Sequence, residues 1–226
     1  MRRDGFGLAA LSASVIAATW LAGGGARAGL LAAPAAGADD AVQRGHYLVT
    51  AIGCNDCHTP LKPDAKLGFA PDMSRMLSGH PEGGPSAPRA PDPRSGEGAI
   101  IGADFTSFRL PAGTVYASNL TPDRETGLGT WTEELFVKAL RSGTHLGAGQ
   151  RPILPPMPWP GYAQLTDADL HAVWSYLRTI PAVHNAVPEP TVPKEALDGM
   201  LRANELVAGS LRGGAPMGRR PEPRRP

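Results

Sequence analysis

Cysteine occurs twice in the chain, at Cys54 and Cys57, and a histidine follows at once: Cys54-Asn55-Asp56-Cys57-His58. Two thiols separated by two residues, with an imidazole next in line, form the attachment pattern for haem c. Each thiol can add to one vinyl group of a porphyrin, and the two-residue spacer lets both sulfurs reach the same edge. The imidazole is then carried beneath the iron, where it becomes the proximal ligand. Two other chemistries use such a pair. A dithiol/disulfide couple of this spacing ordinarily precedes a helix in a βαβ setting, which the pattern here lacks. A structural zinc site needs about four ligands, and the sequence has no second Cys/His cluster.

An iron held by His58 needs a sixth ligand from elsewhere, and Met157 is the best placed. It sits in Arg151-Pro152-Ile153-Leu154-Pro155-Pro156-Met157-Pro158-Trp159-Pro160, which proline excludes from helix and interior strand. A stiff loop remains. It would hold a thioether at one height, suiting a ligand that meets iron without donating a proton, and the soft sulfur favours the reduced ion. The competing use of Met157 is gap-filling against Trp159. Met73, Met76 and His80 lie closer to the motif but in a Pro/Gly-rich region, and they read as surface or loop packing. His145, before a glycine-rich turn, is the best candidate for a bis-histidine iron. His46, His171 and His184 read as helix or linker residues. Arg151 offers a fork of donors that suits a haem propionate. The acceptor for the other ring nitrogen of His58 is expected to be a backbone carbonyl, which sequence alone does not name.

Helices must position these groups. Asp40–Gly53 carries Tyr47, Leu48, Ala51 and Ile52 at helical spacing and delivers the motif. A second stretch, from about Thr132 to Ser142, has Glu133 and Glu134 in its first turn, Leu135, Phe136, Ala139 and Leu140 as its inward set, and Gly143 just after its end. Thr166-Asp167-Ala168-Asp169 opens a third, with Leu170, Val173, Trp174 and Leu177 on one stripe before Pro181. The predicted fold is all-α, a helical bundle around one covalent haem. Between His58 and Thr132 the chain is too long for a plain loop. Residues around Arg109-Leu110-Pro111-Ala112-Gly113 read as a β-hairpin. Residues 79–98, rich in proline, read as a solvent-exposed insertion that could dock a redox partner.

Composition bounds the rest. With Gly 28 and Pro 24 among 226 residues, long continuous helices are confined to a few stretches. Residues 39–211 hold 14 basic against 19 acidic groups, and residues 212–226 form a proline-spaced tail with five Arg against one Glu. Nucleic-acid binding is excluded on that balance. Arg2 and Arg3 precede a nearly uncharged run, residues 6–25, and small residues follow at Ala26-Arg27-Ala28 and Ala36-Gly37-Ala38. This is the layout of a secretory signal peptide over residues 1–38, or, if uncleaved, of a membrane anchor. The protein is therefore expected in the periplasm. Its body would be residues 39–186, followed by an extension over 187–226 with one helical piece near Lys194–Val207 and a disordered end.

Cys54-Asn55-Asp56-Cys57-His58-Thr59-Pro60, Leu77-Ser78-Gly79-His80-Pro81-Glu82, Ala117-Ser118-Asn119-Leu120-Thr121-Pro122-Asp123 and the Arg151–Trp159 stretch together resemble a known family. Thr126-Gly127-Leu128-Gly129, Trp131-Thr132-Glu133-Glu134 and Leu165-Thr166-Asp167-Ala168-Asp169-Leu170 extend the likeness over roughly residues 40–190. The family is that of class I c-type cytochromes, and more narrowly relatives of the cytochrome c subunits of periplasmic alcohol and aldehyde dehydrogenases. The resemblance implies that the matched Met-Pro supplies the distal ligand and that the fold is a small helical bundle. Many such relatives carry two or three haem motifs, whereas this chain has one. The expected function is an electron carrier, not an enzyme, passing single electrons through a His/Met-ligated haem c. Its partners would be redox proteins: a periplasmic dehydrogenase, and a terminal oxidase or soluble cytochrome. The alternative is a haem enzyme of peroxidase or oxidase type with a displaceable distal ligand, for which His145 and Arg151 would be the polar groups.

Overall fold

The computed structural model describes residues 37–145 and 150–213. The expected leader or anchor, up to residue 36, and residues 214–226 of the tail lie outside these described residues. No helix among the described residues is long and apolar enough to cross a membrane.

Helix α1 (Ala38–Ala51) begins where the Asp40 carboxylate accepts from the Gly37 amide, and its apolar positions recur at helical spacing. The buried stripe is Gly45, Leu48 and Val49, with Ile52 half-buried beyond the last turn. Tyr47, expected inward, is instead 59% exposed beneath the Arg44 guanidinium. A five-residue helix, α2 (Cys54–His58), follows. Next come an antiparallel pair, β1 (Leu61–Asp64) with β2 (Gly68–Pro71), and a three-stranded antiparallel sheet of β3 (Ile100–Ile101), β4 (Ser107–Leu110) and β5 (Gly113–Tyr116). Helix α3 (Glu133–Ser142) starts on Thr132, whose hydroxyl accepts from the Leu135 amide, and stops at Gly143 in the left-handed region. Strands β6 (Thr144–His145) and β7 (Arg151–Pro152) pair, and the short α4 (Trp159–Tyr162) leads to α5 (Asp167–Leu177), capped by the Thr166 hydroxyl. The extension continues into α6 (Lys194–Arg212), with 19 residues.

The expectation of an all-α fold is corrected by these seven short strands. The helical frame of α1, α3 and α5 stands as read. The segment between α2 and α3, however, has no apolar stripe of period 3.6, and its alternating residues satisfy their backbone groups by pairing. The anticipated hairpin is β4–β5, with Leu110 opposite Gly113.

The main core lies between α1, α3 and α5. Leu48, Val49, Phe136, Ala172, Val173, Trp174 and Leu177 are buried together, joined by Leu77 from the loop after β2. Gly45 is where α1 and α5 come closest, since a Cβ there would overlap the Ala172 carbonyl. Leu135 is largely outside this core. A second apolar cluster, Phe108, Leu110, Val115, Leu154 and Val192, fills the space between the three-stranded sheet and the first half of α6. A third, Trp159, Ala163 and Ala208, joins α4 to the second half of α6.

Candidate functional site

Cys54 and Cys57 are three residues apart on α2 and therefore share one face of the helix. Neither forms a disulfide. Cys54 packs against the main core and Cys57 against the second cluster. Burial pushes the Cys54 thiol up to about 11, and it raises that of Cys57 as well. Both thiols are therefore protonated and uncharged at neutral pH, and the neighbouring Asp56 carboxylate adds to the shift.

His58 ends the helix and is buried. Its Nδ1 lies 2.7 Å from the Ser118 carbonyl. A carbonyl can only accept, so Nδ1 carries the proton and donates, and Nε2 keeps its lone pair. Burial lowers the His58 pKa, partly opposed by the Ser118 bond, so the ring is neutral. This is the backbone acceptor that the sequence reading could not name.

Several elements fix that carbonyl. The Gly79 amide donates to the His58 carbonyl at 2.8 Å, and His80 N–H donates to Ala117 O at 2.9 Å. Asn119 holds the chain after Ser118: its Oδ1 accepts from the amide and hydroxyl of Thr121, and its Nδ2 donates to Thr126 Oγ1 and Val183 O. Asn185, 1% exposed, donates to Ser78 O and His80 O and accepts from Glu82 N–H and the Arg75 guanidinium. After the motif, the Thr59 hydroxyl donates to Asn55 Oδ1 and accepts from Leu77 N–H. The Asn-Leu-Thr-Pro-Asp and Ser-Gly-His-Pro runs are thus parts of one bracket around His58.

Met157 is half-buried against Trp159 and Ala163 in the third cluster, and its amide turns back to Leu154 O at 3.2 Å. Leu154 packs in the cluster that Cys57 borders. Tyr162, just after Met157's loop, donates its hydroxyl to Ile52 O at 2.9 Å, at the junction between α1 and α2. The proline-rich loop is therefore drawn onto the cysteine motif from both ends.

The other sequence candidates fall differently. Met73 is 64% exposed, and Met76 packs on the main core. His80, read as surface or loop packing, is instead fully buried, with Nδ1 2.8 Å from Thr106 Oγ1 and 3.3 Å from Asp104 Oδ2. His145 faces Arg151 across the β6–β7 pair and lies edge-on to Trp131. Burial, then the Arg151 charge, depresses His145 to about 4. Arg151 has no carboxylate within ion-pair distance among the described residues, and burial lowers its pKa although Glu189 opposes. Sequence reasoning named neither Ser118, Asn185 nor Tyr162 in a role, because each acts through a contact far along the chain.

The donor set can be tested against haem c. Two neutral thiols on one helix face, an imidazole whose free nitrogen is Nε2, and apolar clusters bordering Cys54, Cys57 and Met157 fit such a group. A metal held by side chains alone has less support: among the described residues no three His, Cys, Asp or Glu come together as a metal cluster.

No family model matches the chain. It is 29% identical over 161 residues to the fructose dehydrogenase cytochrome subunit of Gluconobacter japonicus, covering 71% of this chain and 26% of that protein. It is 32% identical over 146 residues to the cytochrome c subunit of the quinone alcohol dehydrogenase of Gluconobacter oxydans, covering 64% and 23%. A diheme cytochrome c-type protein of Cereibacter sphaeroides is 28% identical over 124 residues, 54% of this chain and 41% of that one. The chain spans about a quarter of the length of these two dehydrogenase subunits.

Proposed function

The chain is a c-type cytochrome related to the cytochrome c subunits of fructose and alcohol dehydrogenases, and on that premise we propose that it is a single-haem electron carrier working outside the cytoplasm. Cys54 and Cys57 would hold haem c through two thioethers, each S–H adding across one vinyl group with the hydrogen passing to the neighbouring carbon, so that nothing leaves. His58 Nε2 and the Met157 sulfur would hold its iron. When bound, haem c supplies a one-electron ferric/ferrous couple. The chain's own residues set the conditions for it. Ser118 keeps the His58 ring in one tautomer and orientation, while the bracket of Gly79, Asn119 and Asn185 keeps Ser118 in place. Arg151, half-buried and without a carboxylate partner among the described residues, is suited to a haem propionate.

The observation that carries the reading is the 2.7 Å bond from His58 Nδ1 to Ser118 O, because it leaves the motif's imidazole ready to donate through Nε2. With His58 and Met157 both holding the iron, no substrate would reach it, which favours a carrier over a peroxidase or oxidase. The electron donor is a dehydrogenase, as the names of the relatives suggest, and the acceptor is a terminal oxidase or soluble cytochrome. The amino-terminal sequence supports export to the periplasm.

The test is chemical. Protein exported in a host able to mature c-type cytochromes is extracted with acidified butanone, and its haem is counted as the pyridine complex. One haem per chain that stays with the polypeptide is expected. Colour that leaves with the solvent, or is retained in a Cys54→Ala/Cys57→Ala variant, would overturn the reading.

A further inference from the structure

Helix α6 does more than cover the surface. Its inward positions, Ala196, Leu197, Met200, Asn204, Val207, Ala208 and Leu211, repeat at three- and four-residue spacing and follow the Met157 loop along its length. Ala196, Leu197 and Met200 pack on the cluster that holds Leu154. Val207, Ala208 and Leu211 pack on the one that Met157 and Ile153 border. Between these two grips stands the single inward polar residue, Asn204. Its Nδ2 donates to Gly143 O at 2.7 Å and to Ile153 O at 3.2 Å, so both amide protons are used. Gly143 O also accepts from Ile153 N–H at 2.7 Å. The C-cap of α3, the entry to the Met157 loop and α6 are thereby joined at one point, four residues before Met157.

We propose that Asn204 is a positioning residue for the axial methionine: through Gly143 O and Ile153 O it pins the Met157 loop and so raises the cost of displacing the sulfur from the iron. This rests on the reading of Met157 as a ligand. A proline-rich loop has few amides with which to tie itself down, since Pro152, Pro155, Pro156 and Pro158 donate nothing. Carbonyls that its few amides do not reach must be satisfied from outside, and the inward amide of α6 meets that of Ile153.

The experiment titrates the oxidised, haem-loaded full chain with imidazole and follows the iron–sulfur absorption band toward the red end. Wild type, Asn204→Leu, Leu197→Ala and Met157→Ala are compared, with thermal unfolding measured for each. Asn204→Leu keeps the volume and removes both bonds, so imidazole should bind roughly tenfold more tightly, the worth of about one to two hydrogen bonds. Leu197→Ala weakens α6 without touching the two carbonyls, and its imidazole affinity should remain that of wild type at a comparable loss of thermal stability. Asn204→Gln, which keeps the donors on a longer stem, should recover part of the wild-type affinity. Equal imidazole binding in wild type and Asn204→Leu, while Met157→Ala binds it far more tightly, would overturn the tether alone. If Met157→Ala binds imidazole no better than wild type, the axial assignment itself has failed, and the tether with it.

Discussion

Gly79 packs directly on the carbonyl of Ser118, the same carbonyl that receives the His58 Nδ1 proton. A Cβ at Gly79 would stand 2.6 Å from Ser118 O and closer still to Ala117 O, and the residue sits at φ +77. Two demands, a left-handed backbone and a close approach, thus coincide at the residue whose amide also binds the His58 carbonyl.

Gly79→Ala should therefore damage both stability and the iron environment. Backbone strain and overlap with two carbonyls together predict a loss of about 2–4 kcal/mol. Denaturant unfolding of the haem-loaded protein measures the first effect, and the midpoint potential measures the second, because a displaced Ser118 changes the basicity of His58. An unchanged unfolding midpoint would show that the close approach is not real.

Gly45→Ala probes the frame rather than the site. The added methyl would meet the Ala172 carbonyl at the crossing of α1 and α5, and neither helix can withdraw without opening the packing around Val49 and Val173, both buried in the main core. Overpacking of this sort predicts a loss of about 3 kcal/mol, read from thermal unfolding, with the absorption spectrum preserved in the fraction that folds.

The helical frame and the cysteine motif were legible in the sequence because each is written locally. Thr132 and Thr166 announce their helices by capping them, and the stripe of Leu170, Val173, Trp174 and Leu177 marks the buried face of α5. Cys54, Cys57 and His58 carry their chemistry in their spacing. The β1–β2 pair was not legible, since Pro63 and Pro71 argue against a strand unless it lies at an edge with that side free. Ser118 was hidden for a different reason: every residue has a carbonyl, and only the fold selects which one meets His58. His80 lay in a run of Gly and Pro that reads as surface or loop packing, yet it is fully buried beside Thr106 and Asp104, 26 and 24 residues further along the chain.

Acid should weaken the protein through His145. Its ordinary value is 6.5 and the fold depresses it to about 4, first by burial and then by the Arg151 charge. Between those values the unfolded chain takes up a proton that the folded one refuses, so the stability present above pH 6.5 is lost as the pH falls toward 4. Full burial would set this near 3 kcal/mol, and the partial exposure of the ring reduces it to about 1–2 kcal/mol. Denaturant unfolding at a series of pH values is the measurement. His145→Phe, which keeps the contact with Trp131, should flatten that part of the acid limb; an acid limb identical to wild type would remove His145 from the account.

Met157→Ala separates a ligand from a gap filler, the two uses that a half-buried methionine beside Trp159 allows. A gap filler would lose about 2 kcal/mol or less, given its partial burial, and leave the iron untouched. A ligand would lose the iron–sulfur band, lower the midpoint potential and open the reduced protein to carbon monoxide, while Cys54 and Cys57 keep the haem attached. The expected result is the second set, measured by optical redox titration and by carbon monoxide difference spectra. A potential that stays at the wild-type value while stability falls would assign Met157 to packing and leave the position opposite His58 to another residue.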